Sequence, residues 1–205
     1  MKRLFTTSLL TTALFLSPIV CDSNKIIQEL PAICINISRQ EHKITILRQT
    51  IIHEYLSDKC PNDRSAVERM VNSVSDEHLA AMELSRLINN IPASYYYRLV
   101  YKESGFKQGA LSNKNAVGYM QVTRIAWEEC ADDAGVQNSH LEQTPIDNII
   151  VGTYYIRYLK DKCKRWDKTF MAYNAGISGA RKYGKNSCVD RYSNDITRRF
   201  NDINN

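Results

Sequence analysis

The 205-residue sequence has no CxxC pair, no HExxH, no GxSxG and no phosphate-binding glycine loop. A zinc peptidase, a serine hydrolase and a nucleotide-binding protein are set aside on those grounds. Histidine is scarce and scattered, at 42, 53, 78 and 140; none has metal-ligand spacing, and each reads as a surface or core residue. No stretch alternates apolar and polar residues strongly enough to demand a large sheet. Past residue 21 no apolar run is long enough to span a bilayer. Neither sign of charge dominates, with 27 Lys and Arg against 22 Asp and Glu, a net of +5. Basic clusters at 157–160 and 162–165 carry no nucleic-acid motif and are interrupted by acid, so nucleic acid is not an expected partner and a solvated helix face is the default.

What is present begins with a basic start, Lys2-Arg3, a moderately apolar run from Leu9 to Val20, and an abrupt change to Asp22-Ser23-Asn24-Lys25. That pattern predicts a secretory signal over residues 1–21, and an uncleaved anchor is the alternative. Its loss removes two cations and no acid, leaving a net charge of +3. Val20 is too large for the residue before a lipidated cysteine, so Cys21 is not read as a lipid anchor. The six cysteines (21, 34, 60, 130, 163, 188) fit an oxidising compartment, with Cys34–Cys60 and a pair among the last three as the expected disulfides.

The length fits one main core. Ile44, Leu47, Ile51 and Tyr55 favour a helix, although the β-branched density of ITILRQTII also permits a strand. Ser65-Ala-Val-Glu68 has the form of a capping box for a helix with Val67, Met70, Val71 and Val74 on one face. Ser75 is expected to cap the next helix, which stops before Asn89, and Ser94 the one after it. Further helices are expected over Ile125 to Cys130 and Ile146 to Leu159, and one ending at Gly176 as a left-handed cap. The fold reads as mainly α.

In YYYRLVYKE, Tyr96, Leu99, Val100 and Glu103 recur at i, i+3, i+4 and i+7, so Glu103 lies on the apolar face. A carboxyl there either finds a partner or has its pKa raised by desolvation. Spacing alone favours a structural role for it. Gly105, Gly109 and Gly118 frame the loop that follows and suggest close backbone approach to a ligand.

Glu103-Ser104-Gly105-Phe106, then Ala110 and Ser112, Ala116-Val-Gly118-Tyr-Met120-Gln121, Asn148-Ile, Gly152, Tyr155 to Leu159, and Ala172-Tyr173-Asn174-Ala175-Gly176 occur in this order. Over residues 90 to 184 the chain resembles the soluble lytic transglycosylase (SLT) domain family, a goose-type-lysozyme-like helical fold with a substrate cleft. The resemblance implies cleavage of the β-1,4 bond between N-acetylmuramic acid and N-acetylglucosamine in peptidoglycan, without cofactor or metal. It implies that Glu103 is the catalytic acid/base and that Tyr173 places its hydroxyl near the reacting centre. It further implies that Ser112 and Gln121 bind the acetamido group or peptide stem, that Met120 forms an apolar wall, and that Asn174 fixes local backbone or binds sugar. For Met120 plain core packing is the equal alternative. In such a reaction the substrate's C6 hydroxyl is the nucleophile, so no second carboxylate is required, unlike in ordinary glycosidases.

Gln108, Asn115, Tyr119 and Arg124 depart from the family's common Pro, Gly, Leu and Pro; Asn115 can hold a positive φ and keep its turn. The domain is expected over 92–205, with a helical N-terminal extension over 22–91 that carries no family motif. Family analogy alone raises a type IV or type III secretion or conjugation apparatus as partner. Two other readings remain open: a lysozyme that hydrolyses the same bond with water, for which Glu128, Asp132 or Asp133 could be the second acid, and a non-catalytic wall-binding or scaffolding module.

Overall fold

The computed structural model describes residues 41–58, 64–183 and 187–197. The proposed signal and the Cys34–Cys60 pair lie outside those residues. Among the described residues the architecture is helical, and its only extended pairings are two isolated antiparallel bridges, Leu111 with Val117 and Val117 with Val122. Helix α1, Glu41–Thr50, runs directly into a π-helical turn, Ile51–Tyr55. There follow α2 (Arg64–Asn72), α3 (Asp76–Ile88), α4 (Ala93–Ser104), α5 (Arg124–Cys130), α6 (Pro145–Cys163), α7 (Trp166–Lys182) and α8 (Cys188–Thr197).

The helix starts follow local chemistry. The Ser75 side chain accepts the His78 N–H and opens α3; Thr123 does the same for Ala126 at α5. Helix α6 has a full capping box between Thr144 and Asp147, with Pro145 in its first turn, where a missing N–H costs nothing.

Two expected caps are corrected. Helix α2 begins at Arg64, so Ser65 lies inside it and accepts from Arg69 Nη1 at 2.8 Å, while Glu68 faces Arg64 at 3.7 Å. Helix α4 begins at Ala93 after Pro92, whose fixed φ already suits a helix entry, and no side chain caps it. Gly176 does break the helical path where a helix end was expected, with the positive φ (72) that favours glycine but a ψ of 165 outside the left-handed helical region, and a second helical segment carries α7 on to Lys182. The expected disulfide among the last three cysteines is also absent, since Cys130, Cys163 and Cys188 are free thiols. They stand at three separate helix ends, those of α5, α6 and the start of α8, a separation that linear spacing does not reveal.

Helix α6 lies against α3, α5 and α7, and α8 lies against α7 and α4. One core joins Ile44, Leu47, Val67, Leu79 and Met82 from the N-terminal helices with Tyr96, Leu99, Met120 and Ile149, while Leu159, Met171 and Val189 form a smaller cluster. The π turn buries both Ile51 and Ile52 and brings Tyr55 onto Tyr97, rings stacked at 5.9 Å. Arg98 on α4 is 4% exposed; it donates to the Tyr55 carbonyl at 2.8 Å and to Asp58 at 3.0 Å. That buried cation therefore depends on acceptors supplied by the segment before residue 59.

Candidate active site

Helix α4 delivers Glu103. Tyr96, Leu99 and Val100 on the same face are fully buried, so the helical period carries the carboxyl to the edge of the core. Gly105 then stops the helix in the left-handed region at φ 58, and Phe106, also at positive φ (62), turns its ring back into the core. Two successive left-handed residues, one of them a bulky side chain, make an abrupt exit that needs the anchored Phe106 ring to hold it.

Burial pushes the Glu103 carboxyl up to about 7, against two opposing influences, a hydrogen bond from Tyr192 and the charge of Lys102. The Tyr192 hydroxyl, on α8, donates to Glu103 Oε1. Lys102 is paired with Asp195 of α8 at 2.5 Å, which ties the last turn of α4 to the helix carrying Tyr192. Among the described residues no carboxylate is a source of the Glu103 shift. Glu128 is exposed and bonded to Arg124 at 2.7 Å, and Asp132 and Asp133 are exposed in a turn.

Tyr173 reaches the same neighbourhood from α7. Its phenol is held well above the usual range, first by burial and then by the charge of Glu103. Its hydroxyl donates to the Met120 carbonyl at 2.6 Å, so a backbone carbonyl of the loop fixes its ring.

The loop between α4 and α5 is bound largely to itself. Ser112 Oγ accepts the N–H groups of Lys114 and Ala116 at 3.2 and 3.0 Å. Asn115 does adopt φ 57, the positive value its turn needs. Both hydrogens of the Gln121 amide are engaged, with the Ala110 and Gly118 carbonyls at 3.0 Å each, which leaves its amide oxygen free to accept. Met120 is fully buried, its side chain against Gly152 of α6. Gly118, at φ 77, lies over the amide of Asn148, where a Cβ would come within 2.6 Å of Asn148 Cγ. Gly109 has open space around it, so of the three framing glycines only Gly105 and Gly118 answer a conformational demand.

Glu103, Tyr173 and the Met120 peptide thus come together, while Gln121 and Ser112 hold the loop. Asn174 is exposed and lines a groove of about 680 Å³ with Lys102, Arg191 and Tyr192, the residue that bonds Glu103.

Two residues were given no role in the sequence reading: Tyr192 was not singled out, and Asn148 was quoted only as part of the motif series. Tyr192 bonds the acid directly, and its signal was the spacing of Val189, Tyr192 and Ile196 on one face of α8. Asn148 is 1% exposed; it accepts from Met120 N at 2.9 Å and donates to Val117 O at 2.8 Å and Gln143 Oε1 at 2.6 Å. A lone amide in the apolar run of α6 was its signal. No group of three or more His, Cys, Asp or Glu side chains that could hold a metal occurs among the described residues.

Residues 82–196 match the family model of the transglycosylase SLT domain. No curated protein is significantly similar to the chain. Among solved structures the chain is similar to an inactive mutant of the lytic transglycosylase Slt from Pseudomonas aeruginosa, at 14% identity and a TM-score of 0.49, covering 74% of this chain and 35% of that one. The chain thus spans about a third of that protein's length.

Proposed function

The chain belongs to the transglycosylase SLT domain family, and from that premise we propose that it is a peptidoglycan lytic transglycosylase in which Glu103 is the single general acid and base. The observation that carries this reading is the state of Glu103: a carboxyl at the edge of the core, raised to about 7 by burial, held by Tyr192, with no carboxylate among the causes of its shift.

Such a group is protonated in a large fraction of molecules near neutrality, as a general acid must be. Glu103 gives its proton to the glycosidic oxygen as the C1–O bond of the muramic acid breaks. The resulting carboxylate then takes the proton of the C6 hydroxyl, whose oxygen closes on C1, leaving a 1,6-anhydromuramoyl end and a free N-acetylglucosamine hydroxyl. The proton count on Glu103 returns to its start, so no water and no second carboxylate enter. Tyr192 supports the carboxylate half of the cycle through its hydrogen bond, and Tyr173, fixed by the Met120 carbonyl, lines the acid's approach. In this reading Met120 works through its peptide as much as through its side chain, Ser112 and Gln121 shape the cleft wall and offer a hydroxyl and an amide oxygen to the sugar, and Asn174 meets substrate from the groove.

The signal-like residues 1–21 support export, and a wall substrate supports a periplasmic or wall-associated site of action. A secretion or conjugation apparatus as partner rests on family analogy alone. No helix among the described residues is long and apolar enough to cross a membrane.

Mass analysis of fragments released from purified peptidoglycan tests the reaction. Anhydro ends, one water lighter than reducing ends, are the expected product; reducing ends would assign a hydrolase instead.

A further inference from the structure

We propose that His78, in the first turn of α3, is a positioning residue for the cleavage reaction, acting through the Tyr119 hydroxyl on the turn whose Met120 carbonyl holds Tyr173. This rests on the reading of Glu103 and Tyr173 as parts of a peptidoglycan-cleaving site.

Residues 118–121 form a tight turn, closed by the Gln121 N–H on the Gly118 carbonyl at 3.2 Å. Gly118 and Gln121 both stand at positive φ, 77 and 49. Such a backbone keeps its shape only where its surroundings hold it. Three side chains do so. Asn148 accepts the Met120 N–H at 2.9 Å, the Gln121 amide donates to the Gly118 carbonyl at 3.0 Å, and the third anchor is the ring of Tyr119. That ring is 2% exposed; its hydroxyl lies 3.0 Å from His78 Nδ1, and the two rings meet edge to face at 5.5 Å.

A buried phenol needs a hydrogen-bond partner, whereas leucine, the family's common residue at this position, needs none. The chain that carries Tyr119 supplies the matching acceptor 41 residues earlier. His78 is half-buried, and burial lowers its pKa against the opposing charge of Glu77. The imidazole is therefore mostly neutral near pH 7, with Nδ1 open to the proton of the phenol. Burial likewise pushes Tyr119 up to about 12, which keeps it a donor. Position 78 lies before the residues 82–196 that match the family model, so the family pattern does not account for this contact.

From His78 the path to the acid is short. Tyr119 and Met120 share a peptide bond, the Met120 carbonyl takes the Tyr173 hydroxyl at 2.6 Å, and the charge of Glu103 acts on the Tyr173 phenol. A turn that shifts at Tyr119 carries the Met120 carbonyl with it and loosens the hydroxyl beside the acid.

Tyr119→Phe and His78→Phe, assayed on a soluble glycan strand below their thermal midpoints, are expected to lower kcat about tenfold with KM unchanged. His78→Asn, whose amide can stand where Nδ1 stands, is expected to recover part of the loss. In a Tyr173→Phe chain, adding Tyr119→Phe is expected to change kcat no further, because the hydroxyl through which it acts is gone. A further tenfold loss in that background, a change confined to KM, or parent-like kcat in both single variants overturns the proposal. Hydrogen exchange at the Met120 N–H of the folded chain, without substrate, reads the turn itself. His78→Phe is expected to lose about tenfold in protection and His78→Asn to regain part of it, and unchanged protection in His78→Phe overturns the proposal. Because exchange is read without turnover, a chain whose Met120 N–H depends on His78 yet releases no anhydro product would sink the reaction and leave the anchor standing.

Discussion

Glu103 stands one residue before the end of α4, desolvated by the core and restrained by Tyr192, and its titration follows from that setting. The carboxyl moves from 4.5 to about 7, so the folded protein binds its proton more tightly than the unfolded chain does. A raised carboxylate destabilises the fold at high pH: its penalty is absent below about 4.5, grows as pH rises, and is complete above about 7. Replacement by Gln removes that penalty. Glu103→Gln is expected to gain on the order of 2 kcal/mol over the parent at pH 8 and almost nothing at pH 4, read from urea midpoints at the two pH values. The Tyr192 hydrogen bond lowers the Glu103 pKa, so Tyr192→Phe should shift the alkaline limb of the pH–activity profile upward. An unmoved limb would mean that the tyrosine does not touch the titrating acid. Of these two residues only Glu103 stood out in the sequence: an acid breaks an apolar stripe visibly, although spacing alone favoured a structural role and the acid/base role came from the family resemblance. Tyr192 continues its own stripe without interruption, and its bond to Glu103 joins positions 89 residues apart.

The helices themselves were largely legible, since an apolar face is a local feature; α3 begins where Ser75 was expected to cap it, while α5 and α6 were expected from their apolar residues and their caps, Thr123 and Thr144, were not singled out. The misread boundaries were those where a local motif was outcompeted. Ser65 could have capped α2, but a helix starting at Arg64 places it one turn from Arg69. The π turn at Ile51–Tyr55 left no periodic mark, because five residues are too few to display a changed period. Where α6 meets the loop, the contact is set by close approach: a Cβ on Gly152 would lie 2.5 Å from Met120 Cβ. Gly152→Ala is expected to cost roughly 1–3 kcal/mol by overpacking. Because it displaces the Met120 peptide that holds Tyr173, it should also lower activity per folded molecule, measured as thermal unfolding beside fragment release. A loss of stability with unchanged specific activity would separate the loop's packing from its catalytic geometry.

At the scale of the whole molecule, the segment that the sequence set apart as an extension shares its core with the rest. Ile51 and Ile52 are buried, and Tyr55 and Asp58 satisfy Arg98. Linear motifs could not reveal that cover, because its partners lie 40 or more residues away on α4. Removal of residues 1–63 is expected to strip the buried Arg98 of its Tyr55 and Asp58 acceptors and open the core, and so to yield insoluble or unfolded protein; a soluble, cooperatively melting fragment would contradict that packing. The central claim concerns a single carboxyl acting within this frame. Its most direct test is the rate at which soluble fragments leave purified peptidoglycan at pH 6, for the parent and for Glu103→Gln, both folded at the assay temperature. We expect the parent to release fragments with anhydromuramoyl ends and the variant to be slower by about 10²–10⁴-fold; comparable release by both would show that Glu103 is not the acid of this site.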